Sequence, residues 1–198
     1  KKDLGELFDR LTCSKVIFLV DDLQFKNRVN FKSFTSINPR ENIASLRLGA
    51  HLNYAYTLNI KQPLPTFEKV GDMLSWNWKK SSGDWAYPLS VDGHLFDKEE
   101  FKVLVNELDY KAPNSFEEAL QVMYPFFVTR NGLCFQNSVL INNPCNKVQS
   151  ENDNVFGNAS IEELNTKWLE GYRIDFQQFD QLRNESAHQE LPLSFIER

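Results

Sequence analysis

Residues 16–22, Val-Ile-Phe-Leu-Val-Asp-Asp, constrain the fold of this chain more than any other stretch. Five apolar residues in a row, rich in β-branched side chains, read as a strand buried on both faces. Just before it, Leu4, Leu7, Phe8 and Leu11 fall at i, i+3, i+4 and i+7, the apolar stripe of a helix over residues 3–12, joined to the strand by Cys13 and Ser14. A helix leading into a buried strand is half of an α/β unit. The two carboxylates, Asp21 and Asp22, then fall just past the strand's carboxyl end, where α/β sheets gather their ligand contacts.

The segment from there to Pro65 is mixed. Asn38 and Pro39 suit the cap and first position of a short helix, and Ser45-Leu46-Arg47-Leu48-Gly49 alternates like a brief strand. Residues 63–88 are rich in Trp, Pro, Gly and Lys and read as a loop or hairpin lying over the molecule, with Trp76, Trp78 and Trp85 concentrated in it. Beyond it the pattern turns helical. Asp97 with Glu100, Asn114 with Glu117, and Ser160 with Glu163 each place a cap residue three positions before a Glu, predicting helices near 98–108 and 115–124 and a third that Gly171 ends. Leu133 to Ile141 reads as a strand between them. No internal repeat or low-complexity segment is present.

Composition excludes several functions. With 198 residues the chain can bury a substantial core, and its length favours one domain over residues 1–198. A net charge of −5 with no dense Lys/Arg cluster argues against a nucleic-acid partner. Residues 16–20 are far too short to cross a bilayer, so no membrane span is expected. Three cysteines, an odd number with no C-x-x-C spacing, suit neither a disulfide framework nor a zinc site and point to a reducing, cytoplasmic setting. The sequons at Asn158 and Asn184 then read as chance matches.

An adjacent pair of carboxylates is chemically suited to a hard divalent cation. Mg²⁺ and Mn²⁺ take one or two protein carboxylates and complete their shells with water and phosphate oxygens. The plain alternative is a solvated acidic turn. The same run also looks like the first strand and acidic pair of a response-regulator receiver domain, but residues 40–95 lack the regular βα rhythm and the later strand-end residues that such a domain needs. There is no Gly-rich phosphate loop and no nucleophile motif among the Ser, Cys and His residues.

Taken in order, Phe18-Leu19-Val20-Asp21-Asp22, Ser45-Leu46-Arg47-Leu48-Gly49, Asp84-Trp85-Ala86-Tyr87-Pro88 running into Ser90-Val91-Asp92-Gly93-His94, and Pro113-Asn114 resemble a group of GT-A-type glycosyltransferase-like proteins related to the family 2 enzymes. The resemblance spans residues 18–114. It implies an α/β fold of the nucleotide-diphospho-sugar transferase type, with Asp21 and Asp22 answering to an Asp-x-Asp-like motif. Asp22 is then the metal ligand, and Asp21 lies nearer the ribose or the metal's waters. Val20 stands where many such enzymes carry a first acidic residue. Such enzymes also begin with a nucleotide-binding half of roughly three βα units, about 90 residues, so the expected fold is a GT-A-like one lacking much of that half.

The resemblance further implies Mn²⁺ or Mg²⁺ as cofactor, a nucleotide sugar as donor, and a glycan or glycoconjugate hydroxyl as acceptor. Inverting transfer needs a carboxylate to take the acceptor's proton. Asp92 is the first candidate and Asp84 the second, while Asp92-Gly93 also reads as a simple turn. His94 is a candidate metal or phosphate contact, or a structural histidine. Arg47 is a candidate diphosphate contact, or the partner of a structural carboxylate. The three Trp residues suit either sugar stacking or packing. His51 and His188 have no partner at a recognisable spacing. The alternative function is a non-catalytic carbohydrate-binding or scaffold module on the same fold.

Overall fold

The computed structural model describes residues 1–145, 157 and 159–198. The sequon at Asn158 lies outside them. Helix α1 (Lys2–Arg10) forms as the apolar stripe predicts, and β1 (Lys15–Ile17) follows it. The expected strand buried on both faces is shorter and only half-buried. It pairs antiparallel with β8 (Leu95–Asp97) instead of opening a parallel sheet. The reason lies in Phe18, whose ring turns into a cluster with Phe8, Phe96, Phe101 and Phe116 at centroid distances of 5.6–6.3 Å, while Leu19 remains exposed.

The main sheet has four strands, in the order β3 (Asn42–Gly49), β9 (Asn131–Phe135), β7 (Met73–Asn77) and β6 (Glu68–Val70). β3 runs parallel to β9, and the other pairs are antiparallel. Gly71, with φ +59°, takes the first central position of the two-residue β6–β7 hairpin, a place that favours glycine. From Ile43 to Gly49 every residue of β3 is buried, because its outer edge is covered. Leu46 donates to the Gly93 carbonyl, Val139 donates to the Leu46 carbonyl, and Ser45 bridges His94. The arrangement is mixed α/β. Two small antiparallel pairs lie outside the main sheet: β2 (Leu23–Phe25) with β10 (Leu140–Asn142), and β4 (Tyr54–Ala55) with β5 (Ile60–Lys61).

Helix α2 (Lys98–Glu107) starts as its sequence signature demands: the Asp97 carboxylate accepts from the Glu100 N–H at 2.9 Å. Its Phe101 stacks on Phe96 at 4.0 Å. α3 (Pro113–Leu120) begins two residues earlier than expected. Ser115, not Asn114, reaches back to accept from the Ala112 N–H. A 3-10 turn over Gln121–Met123 then separates α3 from α4 (Tyr124–Phe127), since Pro125 has no N–H to continue the helical ladder. The strand expected over 133–141 is two strands, β9 and β10, joined by residues 136–139. Asn38 and Pro39 open a single turn, closed by Asn42 donating to the Asn38 carbonyl, and not a helix. α5 (Ile161–Leu169) carries the expected Ser160 cap, Gly171 follows at φ +92°, and β11 (Tyr172–Ile174) pairs with β12 (Phe195–Glu197).

Trp76, Trp78 and Trp85, which a surface loop would have exposed, are all buried in the main core. Trp76 lies 4.5 Å from Trp78 and 5.0 Å from Trp85, and its indole N–H donates to the Trp85 carbonyl. No helix among the described residues is long and apolar enough to cross a membrane. Gly132 on β9 sits under this tryptophan group, and a Cβ there would fall 2.3 Å from the Trp76 ring. Gly132→Ala should therefore destabilise the protein by about 1–3 kcal/mol in urea unfolding, the cost of overpacking a rigid aromatic contact.

Candidate functional site

Backbone pairings bring four distant residues to one place. Beyond β1, the Phe18 carbonyl accepts from the Gly93 N–H at 2.8 Å, which sets the chain leading to Asp22 beside Asp92. β2 pairs with β10, opposing Leu23 to Asn142, and Asn143 donates to the Asp22 carbonyl. On its other side, Asn142 bridges His188, with its N–H on the Ala187 carbonyl and its carbonyl receiving the Gln189 N–H, both at 3.0 Å. The side chains then converge. Asn142 Nδ2 donates to Asp22 Oδ1 at 2.8 Å and to Asp92 Oδ2 at 3.2 Å, and His188 Nε2 lies 3.0 Å from Asp92 Oδ2.

Behind this group sits Arg47, carried into the core by β3 and 2% exposed. Its guanidinium lies 3.9 Å from Asp92 and 3.8 Å from Asp84, both themselves buried. Gln62 secures Asp84, accepting from its backbone N–H at 2.9 Å. Glu117 of α3, read as a helix-cap partner, instead turns inward and accepts from the Val91 N–H at 2.8 Å, holding the peptide just before Asp92. Tyr87 packs beside it and accepts from Gln121.

This geometry separates the carboxyl groups. Burial pushes Asp22 up to about 6, helped by the charges of Asp92 and Asp21. Burial also works against ionised Asp92, but the hydrogen bond from His188 and the positive charge of Arg47 outweigh it and hold Asp92 below the usual carboxylate range. Glu117 is raised by burial and by the nearby Asp92 charge. One ionised, well-held carboxylate thus faces one that is poised near neutrality, the division of labour that acid–base chemistry uses.

Of the residues singled out from sequence, Asp22, Asp92, Asp84 and Arg47 come together here. Asp21 is exposed beside the cluster. His94 is wholly buried. Its Nδ1 lies 3.0 Å from the Pro88 carbonyl and its ring lies among Trp78 and Phe96, and burial pushes its pKa down to about 3, so it is neutral. Asn184, of the second sequon, is also fully buried, its amide donating to the Ser186 carbonyl. Asn142, His188 and Glu117 escaped the sequence reading, because each reaches the site through strand or helix pairing and none stands at a local spacing from Asp22 or Asp92. Among the described residues, no three His, Cys, Asp or Glu side chains are grouped so as to hold a metal ion by themselves.

The raised pKa of Asp22 has a stability consequence. Between about pH 4 and 6 the folded chain binds more protons at this group than the unfolded chain does, so stability falls as pH rises through that window. Asp22→Asn should raise stability at pH 7 in chelator-treated buffer by about 1 kcal/mol, a value reduced for the group's partial exposure, and the gain should vanish by pH 4 in thermal unfolding. No family model matches the chain, and no curated protein or solved structure matches it.

Proposed function

We propose that this chain carries the chemistry of a metal-dependent glycosyltransferase, moving a sugar from a nucleotide sugar to a hydroxyl of a glycan or glycoconjugate. The observation that supports it most is the meeting of Asp22, Asp92 and His188, with an unpaired nitrogen left on the imidazole. With His188 Nε2–H donating to Asp92, Nδ1 keeps a lone pair that is buried and has no hydrogen-bond partner. A carboxylate-backed imidazole beside a second carboxylate is a donor set that suits Mn²⁺ or Mg²⁺ when phosphate oxygens and water complete the shell. Asp22 and His188 would hold the ion, which would neutralise the departing diphosphate.

Asp92 is the general base of this reading. All three of its polar contacts, from His188, Asn142 and Arg47, go to Oδ2, which leaves Oδ1 to take the acceptor's proton. In a single displacement the acceptor oxygen bonds to the anomeric carbon, the bond to the diphosphate breaks, and the hydroxyl proton passes to Asp92. Configuration inverts. Arg47, whose other carboxylate partner is Asp84, is the positive charge that keeps Asp92 ionised, so Arg47 serves the carboxylates and not the phosphates. His94, buried and neutral, packs behind the site among Trp78 and Phe96. Exposed Asp21 would contact the ribose.

The competing reading, a carbohydrate-binding module without turnover, draws on the lack of a complete protein-only metal cluster among the described residues. Thermal-shift measurements with nucleoside diphosphates and nucleotide sugars, with and without Mn²⁺, separate the two. The enzyme should show a Mn²⁺-dependent rise in melting temperature that Asp22→Ala abolishes. Asp92→Asn should keep donor binding and lose about 10²–10⁴-fold in transfer rate. A chain that binds sugars but no nucleotide under any metal condition would be the module.

A further inference from the structure

Asn142 is 4% exposed, and its amide nitrogen faces two carboxylates. Its two side-chain N–H bonds go to two different carboxylates, Asp22 Oδ1 and Asp92 Oδ2. Turning the amide over would set its oxygen against both, so the carboxylates themselves fix which way it points. Its backbone does a second job. The N–H and C=O of Asn142 bind residues 187 and 189, on either side of His188, and so set the height of the imidazole against Asp92. One residue therefore registers every member of the cluster.

We infer that Asn142 is the positioning residue of the site, its amide tying Asp22 to Asp92 while its backbone holds His188 in line with them. Two carboxylates this near each other repel, and burial raises the cost of both being charged. The amide offsets this with a donor to each oxygen and adds no net charge. Its carbonyl oxygen, buried and without a protein partner, is the cost of that orientation: a group chosen for stability alone would not leave it bare. The fixed separation is what the bound ion and the base require, and this part of the role rests on the glycosyl-transfer reading proposed above.

The swap of polarity between positions 142 and 22 tests it. Asn142→Asp preserves size and the backbone clamp but replaces both donors by an acceptor, so it should lower the folding equilibrium constant at pH 7 by more than about tenfold. Asp22→Asn in the same chain restores a donor–acceptor pair with the original net charge. The double variant should recover at least about fivefold of the loss beyond what the two single changes add to. In parallel, Mn²⁺-dependent nucleoside diphosphate binding should fall at least about tenfold in Asn142→Ala, in a chain that still unfolds cooperatively. Strict additivity in the swap, or nucleotide binding undiminished in Asn142→Ala, would overturn the proposal. If the wild type binds no nucleotide, the glycosyl-transfer reading fails instead, and the swap still decides the bridging role on stability alone.

Discussion

The charge on Arg47 organises this molecule. A guanidinium that β3 carries into the core costs several kcal/mol to desolvate, and its burial is tolerable only with carboxylates close by. Asp84 and Asp92 meet that need from one side of the chain, brought there by the segment from 84 to 94 that covers the edge of β3. The acid groups then divide according to their distance from this positive centre. Asp92, within reach of Arg47 and His188, stays ionised, while Asp22 is driven toward its protonated form by burial and by Asp92 itself.

Gly93 is the backbone counterpart of that charge. Its N–H binds the Phe18 carbonyl and its carbonyl binds the Leu46 N–H, so a single residue joins the strand before the acidic pair to the strand that bears Arg47. It does so at φ +72°, with Leu140 so near that a Cβ would fall 2.6 Å from it. Both conditions favour glycine. The side chains on either side of it part, Asp92 entering the charged cluster and His94 the aromatic core, where a regular extended strand would set residues i and i+2 on one face.

Much of the local structure was legible in the sequence. The stripe of Leu4, Leu7 and Phe8 gave α1, and the Asp97 and Ser160 caps gave the starts of α2 and α5, because these signals depend on neighbours within one or two turns. The run at 16–20 misled, since an apolar stretch does not say whether burial comes from a parallel sheet or from rings packed around Phe18. Asp22, Asp92, Asp84 and Arg47 could be singled out as chemically able residues. That Arg47 answers to carboxylates could not, because the choice between a phosphate and an aspartate partner is made by which strands pair. The same limit hid Asn142 and His188, whose meaning lies in the pairing of β10 with β2 and with residue 188.

That pairing also fixes when the cluster comes into being. Its members lie at positions 22, 92, 142 and 188, so each contact between them closes a loop of tens of residues. Loops of that length gain their contacts only after much chain entropy has been surrendered. The local helices can form and re-form without assembling the cluster, whose members lie far apart along the chain. The cluster is a property of the closed chain, and its contacts are complete only when folding has run to the end.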